Sequence, residues 1–272
     1  QAAAIVTSGR ASFFAKRLAA DVGARLDAIS DVGVEPSLTG RLSGALTRSL
    51  VAEGYLGRAF RAPTFDEKFG PPAGYVRSNP DLLPEDGIEV GALLRWTTNG
   101  WSAEAALFGA RLSHAIIYLN RNAYEVRPEN AGNVWRGGGE LTAAVRPLSF
   151  WQQSAEVELL FSRIDATAAP LPTTPLVRLR SRSALDLAVL VPVAPVSVYF
   201  DALAQSSASS NFFGELTVPA QATLDAGVAI RLKSMASLSF EVWNLLDVTT
   251  RVDMHQVPLP GRQFMATLSM GV

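Results

Sequence analysis

Six charged side chains stand out by their spacing: Glu140, Glu156 and Glu158, followed by Arg178, Arg180 and Arg182. Steps of two keep residues on one side of a pleated strand, so each set would project from a single face. Paired carboxylates could exchange protons in general acid–base chemistry, but the pattern sets no nucleophile or histidine beside them. No catalytic residue is assigned, and the chain is not read as an enzyme. Two roles remain for the six charges. One is a ladder of cross-strand ion pairs, worth about 0.2–1 kcal/mol each. The other is a cationic track on which guanidinium groups hold an anionic ligand, such as a metal chelate, in bidentate fashion. A hairpin centred near residue 170 would set Glu158 opposite Arg182.

Other chemistry is sparse. Cysteine is absent and the imidazoles are His114 and His255, far apart and without carboxylates at ligand spacing, so no metal site and no cofactor is expected. Gly137-Gly138-Gly139 is followed by neither Lys-Ser/Thr nor a helix, which argues against a phosphate loop and for a close backbone approach or a bulge. With 24 basic and 25 acidic residues the net charge is -1, which excludes the basic field that nucleic-acid binding needs.

The elements that must carry these residues are strands. Charged residues are 18% of the chain and mean hydropathy is +0.17, yet no apolar run approaches the roughly 20 residues of a spanning helix. Leu185 to Phe200, the most apolar stretch, contains Asp186, Pro192 and Pro195 and cannot be one helix. Period-two alternation recurs instead. Leu224, Ala226, Val228, Ile230 and Leu232 oppose Thr223, Asp225, Gly227 and Arg231; Phe264, Ala266, Leu268 and Met270 oppose Gln263, Thr267 and Ser269. About 12 strands are expected, near 18–30, 38–48, 50–61, 87–97, 101–118, 133–146, 150–164, 176–191, 196–206, 221–232, 235–246 and 262–272, with a partial strand before residue 15.

Short connections fall at Ser49, Thr98-Asn99-Gly100, Pro147-Leu148, Pro192 to Pro195 and Lys233-Ser234. Longer ones fall near 31–37, 62–86, 119–132, 165–175, 207–220 and 247–261. Strict alternation of short and long suits a transmembrane barrel with tight periplasmic turns and longer extracellular loops better than a soluble sandwich. Trp96, Trp101, Phe150, Trp151, Phe13 and Phe14 cluster at the short-turn ends, as an aromatic girdle at a lipid interface would. The fold class is therefore all-β, a transmembrane antiparallel up-and-down β-barrel, with outer-membrane lipid as a partner. Residues 1–272 are taken as one portion of it, and any export signal is expected outside this sequence.

Particular stretches carry a family likeness. Residues 57–63 (Gly-Arg-Ala-Phe-Arg-Ala-Pro) and 79–85 (Asn-Pro-Asp-Leu-Leu-Pro-Glu) resemble, in order and spacing, a strand and loop of TonB-dependent receptors. Gly23 to Asp27, Asn130 to Leu141, and Val242 to Asp247 followed by Pro260 to Phe264 are similar to other strands of that family. The resemblance implies the carboxyl-terminal portion of a barrel of the 22-strand type in a Gram-negative outer membrane. The plug and remaining strands would lie on the same or a separate chain, and TonB would act through the plug. It implies transport of a scarce nutrient such as siderophore-iron or cobalamin, with Arg61, Tyr75, Arg77, Tyr124 and Arg127 in or beside capturing loops and Arg178, Arg180 and Arg182 on the wall. Val272 stands where the family usually ends in an aromatic. Two alternatives stay open: a half-barrel subunit of a larger complex, or a closed 12-strand porin or translocator in which strands near 18–30 and 262–272 pair.

Overall fold

The computed structural model describes residues 2–14, 17–122, 124–187, 195–232, 236–253 and 256–270. Among these, thirteen strands form one antiparallel sheet. In spatial order they are β1 (Ala2–Phe13), β2 (Leu18–Ile29), β3 (Gly33–Ala45), β4 (Leu50–Arg61), β5 (Glu85–Thr98), β6 (Trp101–Ser113), β9 (Val134–Leu148), β10 (Trp151–Ile164), β11 (Val177–Asp186), β12 (Val196–Gln205), β15 (Gln221–Leu232), β16 (Ala236–Trp243) and β17 (Gln263–Met270). The loops hold a short helix, α1 (Phe65–Phe69), and two small hairpins, β7 (Ile116–Asn122) with β8 (Glu125–Asn130), and β13 (Ala208–Ser209) with β14 (Thr217–Val218). Among the described residues no helix is long and apolar enough to cross a membrane.

The expected strands are present, with differences at the ends. The partial strand before residue 15 is a full 12-residue strand paired along its length with β2. The single strand expected over 101–118 breaks at His114, whose φ of 55° turns the chain out of the sheet into β7. Most of the loop expected over 119–132 is the β7–β8 hairpin. The connection expected over 31–37 is short instead, because Gly33, at φ 102°, lets the ladder close with Ile29 opposite Gly33. Short and long connections therefore do not alternate strictly. The turns expected at 192–194 and 233–234, the strand ends at 188–191, 235 and 271–272, and His255 lie outside the described residues.

Side chains divide by face as the alternation requires. Val198, Phe200 and Ala202 stand opposite Val228, Ala226 and Leu224, while Tyr199 and Asp201 stand opposite Gly227 and Asp225. Apolar strand residues are left open to the surroundings: Leu56, Leu107, Phe161 and Leu268 are each more than half exposed. A face of this kind is stable against hydrocarbon and unstable against water. The buried apolar residues are few and lie mainly at the loop end of the strands, among them Leu82, Ala115, Ile117, Ala131, Val134 and Ile164.

The chain divides into two compact units, and the sites lie within them. One comprises Gln1–Leu94, Ala106–Gly138 and Phe161–Leu171; the other comprises Arg95–Ala105, Gly139–Leu160 and Pro172–Val272.

Candidate functional site

In the first unit the long loop after β4 is folded against the β7–β8 hairpin. Pro63 ends the strand, and Thr64 then caps α1: its Oγ1 accepts from the Glu67 N–H at 3.2 Å, while Glu67 Oε2 accepts from the Thr64 N–H at 2.7 Å. Gly70 closes the helix so tightly that a Cβ there would stand 2.5 Å from the Asp66 carbonyl oxygen.

Arg61, at the end of β4, donates to both oxygens of Glu67, the nearer at 3.0 Å, and to Glu85 at the start of β5. Glu85 also accepts from the Ile116 N–H at 2.6 Å, tying β5 to the hairpin. Both carboxylates are buried. Burial favours the protonated form of Glu67, but the Arg61 guanidinium and the Thr64 N–H outweigh it, so this carboxyl titrates below the usual carboxylate range.

Two asparagines complete the fastening. Asn79 donates to the Pro128 carbonyl at 2.9 Å and accepts from Arg127 Nη2 at 2.9 Å. Asn130 donates to the carbonyls of Leu83 (3.0 Å) and His114 (2.7 Å) and accepts from the Leu83 N–H at 2.9 Å. Backbone bonds from Arg77 N to Val126 O and from Val126 N to Tyr75 O, 2.9 and 2.8 Å, add the loop to the hairpin edge.

This packing brings four of the five sequence-predicted loop residues to one hairpin. Tyr75 and Tyr124 lie with ring centroids 6.2 Å apart and are 61% and 73% exposed, which leaves aromatic surface for a ligand. Arg77 is exposed but folds back on its own turn, donating to the Gly74 and Val76 carbonyls. Arg127 is bound into the asparagine fastening, and Arg61 into the carboxylate pair. Sequence reasoning did not single out Glu67, Glu85, Asn79 and Asn130 as site residues. Thr64-x-x-Glu67 after a proline is a capping-box signature and could have marked the helix; Asn79, Glu85 and Asn130 stand at the ends of the family-like stretches, but their partners are not legible there.

In the second unit the polar face of β10, β11 and β12 carries the charged rows. The register sets Glu158 opposite Arg178, Glu156 opposite Arg180 and Ser154 opposite Arg182. The pairing expected between Glu158 and Arg182 is thus corrected by four residues. The reason lies in the connection, where Leu160 N bonds to Leu176 O and Ile164 N to Ala169 O, so the chain turns back earlier than a symmetric hairpin about residue 170. Because the correction is even, the faces are unchanged.

Arg178 pairs with Glu158 at 3.1 Å, and Arg182 pairs with Asp201 at 3.3 Å while lying over the Tyr199 ring. Glu140 accepts from the Thr142 hydroxyl at 3.1 Å. Arg180 has no ion-pair partner among the described residues and borders a cavity of about 350 Å³ lined also by Glu156, Thr142 and Thr223. Two arginines are thus neutralised in the ladder, and one retains capacity for an anion.

The model of the TonB-dependent receptor-like β-barrel matches residues 4–245. The chain belongs to the TonB-dependent receptor β-barrel family. Members are Gram-negative outer-membrane receptors and transporters rather than enzymes, and this barrel segment is an outer-membrane one. The siderophore receptor PirA from Acinetobacter baumannii has the same fold with TM-score 0.82 at 16% identity, over 99% of this chain and 45% of the receptor. A copper transporter, OprC, gives 0.79 at 18% identity, over 97% of this chain and 47% of the transporter. A mutant of the ferric enterobactin receptor from Pseudomonas aeruginosa, in complex with enterobactin, gives 0.78 at 18%, over 98% and 45%. The chain therefore spans less than half the length of these structures. No curated protein matches.

In a TonB-dependent receptor barrel the polar face of the strands is lumenal and the apolar face meets lipid. The ladder of β10 to β12 accordingly faces the lumen.

Proposed function

We propose that this chain supplies the carboxyl-terminal barrel wall and extracellular loops of an energised outer-membrane transporter for a scarce nutrient, siderophore-iron, cobalamin or a similar solute. The remaining strands and the plug would come from the rest of the polypeptide or from a second chain, and TonB would act through the plug. One observation carries the reading: β1 pairs with β2 alone and β17 with β16 alone among the described residues. Unpaired edges are not stable in lipid. An odd number of up-and-down strands also leaves the first and last running the same way, so an all-antiparallel closure needs further strands. A barrel of about 22 strands would take roughly nine more.

The closed 12-strand alternative fails on the same sheet order. It required pairing of strands near 18–30 and 262–272, but β2 already has β1 on one side and β3 on the other. Tyr75, Tyr124 and Arg77 at the loop hairpin and Arg180 on the lumenal face are the residues proposed to meet substrate, in two successive contacts. Uptake of ⁵⁵Fe-labelled siderophores and labelled cobalamin by cells carrying the full-length protein tests this. Uptake that requires TonB and the proton-motive force, and falls in a Tyr75→Ala/Tyr124→Ala double variant, supports it. Passage without TonB would point to a pore instead.

A further inference from the structure

The outward face of the first unit carries charges where the lumenal ladder does not explain them. Arg111 on β6 shares its face with Leu107, four residues away; Trp135 on β9 shares its face with Gly137; Arg163 on β10 shares its face with Phe161. Leu107 is 68% and Phe161 61% exposed, marking this as the apolar, lipid-facing side.

The arginines and the tryptophan form a row across three strands. The Arg111 guanidinium lies over the Trp135 ring, 5.0 Å from its centroid. Asp165 N bonds to Asn133 O at 2.9 Å. Antiparallel register carried two residues along from that bond sets Arg163 opposite Trp135. The row Arg111, Trp135, Arg163 therefore lies at the long-loop end of the strands, directly above apolar positions.

The row retains capacity for an anion. Arg163 is exposed and has no hydrogen-bond or ion-pair partner among the described residues. Arg111 is exposed and donates to a neutral acceptor, Asn133 Oδ1, at 3.1 and 3.3 Å. The adjacent acidic group, Asp165, accepts from the Asn133 amide at 3.0 Å on the loop side of the row. On the other outward cationic position of this end, Arg58, Asp86 lies at 3.0 Å and Glu35 at 3.7 Å, so that one is balanced.

Below the row the surface is recessed. Gly109 and Gly137 put no side chain on the lipid side, and a Cβ built at Gly109 meets nothing within 4 Å. One at Gly137 would touch the Phe108 carbonyl at 3.4 Å, an ordinary contact, so close backbone packing does not demand both glycines. The recess is flanked by Leu107 and Phe161.

The geometry points to a binding site for a phosphate-bearing lipid of the outer leaflet, its headgroup phosphate between Arg111 and Arg163 and an acyl chain along Gly109 and Gly137. Guanidinium is suited to phosphate by its planar donor fork. Trp135 fixes one guanidinium by stacking and sits at the headgroup level that indoles favour. A free anion from water would satisfy the arginines but would not use the recess, so the occupant is the lipid.

The test uses the full-length protein in detergent, with lipid retention read by native mass spectrometry. The probes are lipid A carrying two phosphates, the same glycolipid with its phosphates removed, and inorganic phosphate. Unmodified protein is expected to retain the phosphorylated lipid roughly twenty-five-fold better than the dephosphorylated one, about fivefold for each arginine. Arg111→Ala/Arg163→Ala is expected to lose that difference, and Arg111→Lys/Arg163→Lys to keep most of it, both with the heat-modifiable mobility of a folded barrel. Inorganic phosphate is expected to leave lipid retention unchanged. Equal retention of the two lipids by the unmodified protein overturns the proposal, and that comparison needs no variant to fold. Retention by the double alanine variant equal to the original, or displacement of the lipid by inorganic phosphate, overturns it as well.

Discussion

Glu158 on β10 and Arg178 on β11 face each other across the lumenal side of the sheet, with Oε2 and Nη1 3.1 Å apart. The next pair along the ladder, Glu156 and Arg180, shares the register without forming an ion pair. A double-mutant cycle on Glu158 and Arg178 is expected to give a coupling of about 0.2–1 kcal/mol in unfolding from lipid vesicles. The cycle on Glu156 and Arg180 is expected near zero. Equal couplings would contradict this register.

Arg61 holds two buried carboxylates, and removing it leaves both without their cation. Arg61→Ala is expected to cost about 1.5–3 kcal/mol of local stability. The loss should appear as faster proteolysis within residues 62–84 while the strands stay protected. A variant with unchanged cleavage would show that the loop is fastened by Asn79 and Asn130 alone.

The lowered titration of Glu67 gives this fastening an acid limit. A carboxyl whose native pKa is below its unfolded one adds stability that is fully present above the unfolded value, about 4.3. That stability is lost as pH falls through the native value. Loop proteolysis by an acid-stable protease is therefore expected to be flat from neutral pH to about pH 5 and to rise below pH 4. Glu67→Gln should flatten the rise.

Leu268 is 58% exposed on the outward side of β17, and Thr267 beside it faces inward, opposite Ser239. Leu268→Arg is expected to destabilise the barrel by about 2–4 kcal/mol if near the bilayer midplane. Thr267→Arg should cost much less. Asp225, which also faces inward, is not an equivalent control, since its Oδ1 accepts from the Asn244 N–H at 2.7 Å. Urea unfolding in vesicles distinguishes the two arginine variants.

Tyr199 on β12 lies across Gly227 on β15, where a Cβ would fall inside the ring's contact distance. Gly227→Val is expected to cost about 1–3 kcal/mol through overpacking. The cost should largely disappear in a Tyr199→Ala background, measured by the same unfolding assay.

The sequence alone determined which side each strand residue occupies. Alternation at Val228 and Leu268, or at Glu158 and Arg178, is enforced by the local pleat and survives any even change of register. It also determined strand number to within the first strand and the family, since the Gly57 to Pro63 and Asn79 to Glu85 stretches are contiguous. Tertiary structure alone decided what touches what. The partner of Glu158 depended on how the chain turns between Leu160 and Leu176, and a two-residue pattern repeats too soon to distinguish Arg178 from Arg182. The joining of Tyr75 to Tyr124, the burial of Glu67 and Glu85 around Arg61, and the row of Arg111, Trp135 and Arg163 all bring together residues more than five positions apart in the chain, some by dozens. Such contacts are fixed by the hydrogen-bonded order of strands and by loop packing, and neither leaves a period in the sequence.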